Sequence, residues 1–117
     1  MINLKRLYKS FRFAFRGLLS LIKKEQNFKI HMIATVVVIF LGWYMQIKLW
    51  QWSLIVLMIA GVLILEMLNT VFERLLDLFK PRLHSYVKEV KDIMSAIVLV
   101  ASIASVIIAL LIFVPYF

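Results

Sequence analysis

No cysteine occurs in the 117 residues, which excludes disulfides, thiolate metal sites and thiol nucleophiles. Glycine is scarce too. Gly17, Gly42 and Gly61 stand alone, and no glycine-rich run precedes a lysine, so a P-loop is excluded. Charge is thin: 17% of residues carry one, and only six of those are acidic against 14 basic, leaving a net charge of +8. What fills the chain is apolar, 64% hydrophobic residues with a mean hydropathy of +0.97. A water-soluble chain this short has too much surface to hide that many apolar side chains, so the composition is that of an integral membrane protein. The length leaves no room for a separate soluble catalytic domain, and any chemistry is expected from the spans and their ends.

A spanning helix needs about 20 mainly apolar residues. Residues 32–47 are free of formal charge and are extended by Phe28 and Ile30; 49–65 are charge-free up to Glu66; 93–117 are charge-free throughout. Trp43, Tyr44, Trp50 and Trp52 cluster about the turn between the first two segments, and Tyr116 lies near the other end of the third, as expected of one membrane interface. Before the spans, Lys5, Lys9, Arg12, Arg16 and Lys23 fall on one helical face, with Leu7, Phe11, Ala14, Phe15, Leu18 and Ile22 roughly opposite. That pattern describes an amphipathic helix lying in the interface plane. Its apolar face argues against a basic nucleic-acid-binding arm, and Arg12 and Arg16 interrupt any signal-peptide core. The expected architecture is all-α and integral to the membrane, one domain over 1–117: a surface helix at 1–27, spans at 28–48, 49–79 and 91–115, and a cytoplasmic loop at 80–90.

Thirteen of the 14 basic residues lie before the first span or between the second and third; Lys48 alone lies elsewhere. Basic residues mark the cytoplasmic side, so the N-terminus and the second connection are expected in the cytoplasm and the C-terminus outside, in the cytoplasmic membrane. All six acids, Glu25, Glu66, Glu73, Asp77, Glu89 and Asp92, fall near the same ends of the helices. At about 100° per residue, Glu73 and Asp77 lie about 20° to either side of Glu66, and Asn69 about 60° away. Glu66 is the anomaly. It ends an unbroken apolar run, and an ionisable group costs about 2.5–3.5 kcal/mol at the bilayer centre and less towards the edge, which marks it as a functional residue. A carboxylate that merely ends the span would explain Glu66 alone, not four polar groups on one face. Carboxylates beside Lys88, Lys91 and Arg82 suit a divalent cation with a nucleotide phosphate, Mg²⁺ typically taking one or two carboxylates and filling its other positions with water and phosphate oxygens. A carboxylate left over would be a general base.

The stretch Glu66-Met67-Leu68-Asn69-Thr70-Val71-Phe72-Glu73-Arg74-Leu75-Leu76-Asp77 resembles the E-x-x-N-(S/T)-x-x-E-x-x-x-D signature of the small prokaryotic lipid kinases, the diacylglycerol kinase and undecaprenol kinase family. Lys91-Asp92, Phe11-Arg12-Phe13-Ala14-Phe15-Arg16-Gly17-Leu18 and Glu25-Gln26-Asn27-Phe28-Lys29-Ile30-His31 fit the same family, the last string being similar to its Gram-positive, undecaprenol-phosphorylating branch. The resemblance implies a homotrimer that transfers the γ-phosphoryl group of ATP, carried with Mg²⁺, to a membrane lipid alcohol. It implies catalytic roles for Glu66, as general base, and Asn69; Mg²⁺ ligation by Glu25 and Glu73; and nucleotide binding by Arg6, Phe13, Glu25, Glu73, Asp77, Arg82, His84, Lys91 and Asp92. Arg16 and Glu66 would meet the lipid. Phe13 departs from the family's usual tyrosine, Met94 and Ile97 replace small residues, and Val71-Phe72 is bulkier than the usual pair. His31 reads as an interfacial or hydrogen-bonded residue and His84 as a loop residue. Two other readings compete, a small cation-coupled transporter with Glu66 as its ion site and a non-enzymatic assembly subunit.

Overall fold

The computed structural model describes residues 1–79 and 84–117, without the side chain of His84. Among them are four α-helices, α1 (Leu4–Lys24), α2 (Gln26–Met45), α3 (Leu49–Asp77) and α4 (His84–Phe113), closed by a 3₁₀ turn at Val114–Tyr116. Helices Gln26–Met45 and Leu49–Asp77, and the stretch Ser85–Tyr116, are each long and apolar enough to cross a membrane.

The ends of the helices follow from local chemistry. Asn3 caps α1, its side chain accepting the Arg6 N–H at 3.2 Å, and Lys23 and Lys24 in the last turn suit the negative end of the helix dipole. Glu25 then adopts an extended backbone, φ −107° and ψ 114°, and is shared as the cap of both α1 and α2. The chain therefore breaks at an acidic residue and sets its carboxylate at a helix junction. Only Leu21 of α1 is buried.

At the other end of α2, the Ile47 N–H bonds to the Gly42 carbonyl and the Gln46 N–H to the Trp43 carbonyl, with Gln46 left-handed at φ 51°. This is the Schellman termination, here with glutamine where glycine is usual. A turn so short makes α2 and α3 antiparallel neighbours.

Packing follows one stripe on each helix. On α2 it runs through Phe28, His31, Thr35, Val38 and Gly42, and on α3 through Gln51, Ile55, Val62, Glu66 and Thr70. The spacing of three and four residues is that of one helical face. A cluster of Ile47, Ile55, Ile112 and Phe113 forms the apolar core at the Trp-rich end, with Trp52, Val38 and Ile108 packed on it. Gly42 is required there, since a Cβ would come within 2.7 Å of the Trp52 ring.

The longest contact is between α3 and α4. Helix α4 begins at His84, ahead of the span expected from 91, so Lys88 and Glu89 stand on helix rather than in a loop. The reason is apolar periodicity. Val87, almost wholly buried, and Val98 carry the α4 contact stripe through the charged segment, while Lys88 and Glu89 occupy its exposed face.

Candidate functional site

Glu66 is the most deeply buried charged residue described, with 2% of its surface exposed. It lies there because it occupies a position of the α3 packing stripe, one turn beyond Val62 and one turn before Thr70. The Thr70 hydroxyl does not serve the carboxylate, as it donates to the Glu66 carbonyl at 3.2 Å. Among the described residues, Glu66 Oε2 accepts no hydrogen bond. Its polar neighbour is His31 of α2, whose Nε2 stands 3.4 Å away. Leaving a buried acceptor unsatisfied costs about 1–3 kcal/mol, and more when it is charged.

Two spaces flank Glu66 along the same helix. On one side an apolar cleft of about 290 Å³ opens between α2, α3 and α4, walled by Ile30, His31, Val38, Met58, Ile59, Val62, Leu63 and Val106 among others. Of its three hydroxyls, Thr35 and Ser105 donate to carbonyls of their own helices, at 2.8 and 2.9 Å. On the other side a polar pocket of about 240 Å³ is lined by Asn27 from α2, Asn69, Glu73 and Leu76 from α3, and Lys91, Asp92, Met94 and Ser95 from α4. Met58 to Leu63 of α3 thus wall the apolar space and Asn69 to Leu76 the polar one, with Glu66 between them.

Two ion pairs frame the polar end. Lys91 Nζ meets Asp77 Oδ1 at 2.5 Å, joining α4 to the end of α3. Arg74, set off the acidic stripe by the helical turn, reaches the α1–α2 junction and donates to Glu25 Oε1 at 3.0 Å. Both pairs are partly exposed, so their contribution to stability is small, roughly 0–1 kcal/mol for the Arg74–Glu25 pair. Their value is positional, since one ties α4 to the end of α3 and the other ties α3 to the α1–α2 junction.

Of the expected site residues, the structure brings Asn69, Glu73, Lys91 and Asp92 around one pocket and sets Asp77 against Lys91. Glu25 lies at the same end, held by Arg74. Arg6, Phe13 and Arg16 do not line that pocket. They are exposed on α1, where the Arg16 guanidinium lies 5.7 Å from the Phe13 ring centroid in a cation–π contact. Arg82 and the His84 side chain lie outside the described residues. Among the described residues no three His, Asp or Glu side chains gather into a cage that would hold a metal by themselves.

Asn27 and Ser95 in the pocket, and the partnership of His31 with Glu66, went unread in the sequence. No signal in the sequence marks either: His31 meets Glu66 only through the packing of α2 on α3, and Asn27 needs the neighbouring faces of α3 and α4 to become part of a pocket.

Comparison with known proteins matches residues 12–113 to the family described as prokaryotic diacylglycerol kinase. The chain is 38% identical over 113 residues to the undecaprenol kinase of Bacillus subtilis, covering 97% of this chain and 92% of that protein. It is 34% identical over 100 residues to a diacylglycerol kinase of Synechocystis sp., covering 85% of this chain and 57% of that one.

Proposed function

The chain belongs to the prokaryotic diacylglycerol kinase family and is a lipid kinase of the membrane; on that premise we propose that it transfers the γ-phosphoryl group of ATP to a membrane alcohol at the cytoplasmic face. The observation that carries this reading is the position of Glu66, buried between an apolar cleft and a polar pocket on one helix. A lipid alcohol and a water-soluble donor have to meet across such a boundary.

In this mechanism the lipid lies along the apolar cleft with its hydroxyl at Glu66. The carboxylate takes the hydroxyl proton as the oxygen's electron pair forms a bond to the γ-phosphorus, and the bond from that phosphorus to the bridging oxygen breaks to release ADP. Lys91 and Asn69 offer donors to the nucleotide phosphates, and Asp77 holds Lys91 in place. Glu73 and Glu25 would hold Mg²⁺. The donor set fits: Glu73, Asp92, Asn27 and Asn69 bring hard oxygens to one pocket beside a lysine, and Mg²⁺ uses one or two carboxylates with phosphate oxygens rather than an all-protein cage. When bound, the ion neutralises charge on the phosphates. Holding the reactants together at a fixed approach supplies much of the remaining acceleration.

The charge distribution supports the orientation, N-terminus and α3–α4 connection inside, C-terminus outside. In the same reading α1 rests in the interface, its basic face towards the headgroups. The resemblance implies a homotrimer, and a site shared between chains fits it, since a single chain offers few walls for a lipid and a nucleotide together and Arg6, Phe13 and Arg16 do not line their own chain's pocket. Undecaprenol is the favoured alcohol. The relative of nearly equal length is an undecaprenol kinase, and a cleft whose hydroxyls mostly satisfy their own helices suits an isoprenoid chain better than ester groups. Nothing in the site favours a carrier or a non-enzymatic subunit.

The test is transfer of radiolabelled γ-phosphate from ATP by purified protein in mixed lipid–detergent micelles, with undecaprenol and diacylglycerol compared. A labelled lipid product dependent on the protein is expected, larger with undecaprenol. Failure to label either alcohol would overturn the reading.

A further inference from the structure

Glu66 needs more than burial to act as a base. A general base works when the proton it takes lies within hydrogen-bond reach, and such bases are commonly oriented by a third group on their far side. The carboxylate of Glu66 has three rotatable bonds, and the hydroxyl of the next turn is committed to the backbone. The one polar side chain described at Glu66 Oε2 is His31, with its Nε2 at 3.4 Å. His31 stands in the α2 packing stripe between Phe28 and Thr35, where every other member is apolar, small or bonded to its own helix. It also lines the apolar cleft, so it touches both the base and the space assigned to the lipid.

We infer that His31 is a positioning residue for phosphoryl transfer: its imidazole N–H holds Glu66 Oε2 and thereby sets the carboxylate towards the lipid hydroxyl. This rests on the function proposed above. The 3.4 Å separation is longer than a formed N–H···O bond, and catalytic hydrogen bonds are often long before substrate binds and tighten in the reactive complex. His31 neither receives the substrate proton nor touches phosphate in this scheme. It shares the carboxylate with the alcohol, one on each side; Glu66 is buried, while the His31 side chain keeps 22% of its surface exposed where it borders the cleft.

The experiment compares His31→Leu, His31→Gln and His31→Asn in the lipid phosphorylation assay, with ATP and lipid varied separately and with native helicity and elution checked first. Gln places an amide nitrogen as many bonds from Cα as His Nε2, whereas the amide of Asn stops one bond short. His31→Leu should lower kcat by about 10- to 100-fold, the scale of a misdirected catalytic group, and leave the KM for ATP unchanged. His31→Gln should recover about tenfold of that loss. In the Glu66→Asp background, where the shortened carboxylate has already left the imidazole, His31→Leu should cost several-fold less than in the native chain. Native kcat in His31→Leu, a loss confined to the KM for lipid, or an undiminished loss in the Glu66→Asp background would each overturn the inference. If His31→Leu fails to fold, Gln should exceed Asn in kcat by about tenfold, and equal values would overturn it. A native protein that labels no lipid would overturn the proposed function and this inference with it, whereas turnover that survives His31→Leu removes the inference alone.

Discussion

Among the buried polar side chains of helix α3, Gln51 and Glu66 stand 15 residues apart, and the fold treats them in opposite ways. Gln51, at the Trp-rich end, has its side-chain oxygen bonded to two donors of its own chain. Its Oε1 accepts the Lys48 N–H at 2.9 Å and the Tyr116 hydroxyl at 2.6 Å, which ties the first turn of α3 to the C-terminal 3₁₀ turn. Glu66, about 22 Å along the axis, is more buried, and its Oε2 accepts no hydrogen bond from the described residues. Around Gln51 lies the apolar core of Ile47, Ile55, Ile112 and Phe113; beyond Glu66 lies the polar pocket of Asn69, Glu73 and Lys91. A polar group that serves architecture is satisfied by its own chain, because an orphan would cost stability. A polar group kept for a substrate has to leave some of its bonding capacity open, and the stability this forgoes must come from elsewhere, here from the packed Trp-rich end.

Four substitutions test the contrast. The largest effect is expected from Glu66→Gln. Loss of a general base should lower labelled phosphate transfer by about 10²- to 10⁴-fold, while the thermal midpoint in detergent holds or rises, since a buried carboxylate has been replaced by a neutral amide. Turnover that persists would remove Glu66 from the chemistry. Glu73→Gln comes next. It should weaken the Mg²⁺ dependence of turnover by about tenfold or more, a change of the size seen when metal-site groups are altered, and chelation followed by Mg²⁺ addition should restore the native protein more readily than the variant. An unaltered Mg²⁺ titration would place the ion elsewhere.

At the architectural end the signs reverse. Gln51→Ala strands the Lys48 N–H and the Tyr116 hydroxyl, so it should destabilise by about 1–3 kcal/mol and leave kcat per folded protein unchanged; equilibrium unfolding alongside the transfer assay separates the two. The smallest effect is expected at Gln46, whose left-handed backbone suits glycine. Gln46→Gly should raise stability by up to about 1 kcal/mol without altering the rate, and a fall in stability would mean that the glutamine side chain contributes there in its own right.

Legibility in the sequence differed between the same two regions. Spans could be found from uninterrupted apolar length, since a bilayer demands it, and the polar stripe of Glu66, Asn69, Glu73 and Asp77 from helical angle alone. The residue that faces Glu66 could not. His31 sits on another helix, and its meeting with Glu66 depends on the turn at Gln46 and on which face of α2 packs inward. The start of α4 was missed for a related reason. Lys88 and Glu89, ahead of the apolar run, look like loop residues, and only the burial of Val87 beside them reveals a helix. Arg74 shows the same limit: off the acidic stripe by angle, it nonetheless reaches Glu25 across a helix junction.

By itself, then, the sequence determined that this is a helical membrane protein with its charge gathered at one end of the spans, because hydropathy and helical period act along a single segment. It also determined which family the chain belongs to, because that resides in motif spacing. Only the tertiary structure decided which polar groups are paired and which are left open. That depends on the approach of separate helices within a few ångströms, where a buried atom without a partner costs more than any local propensity records.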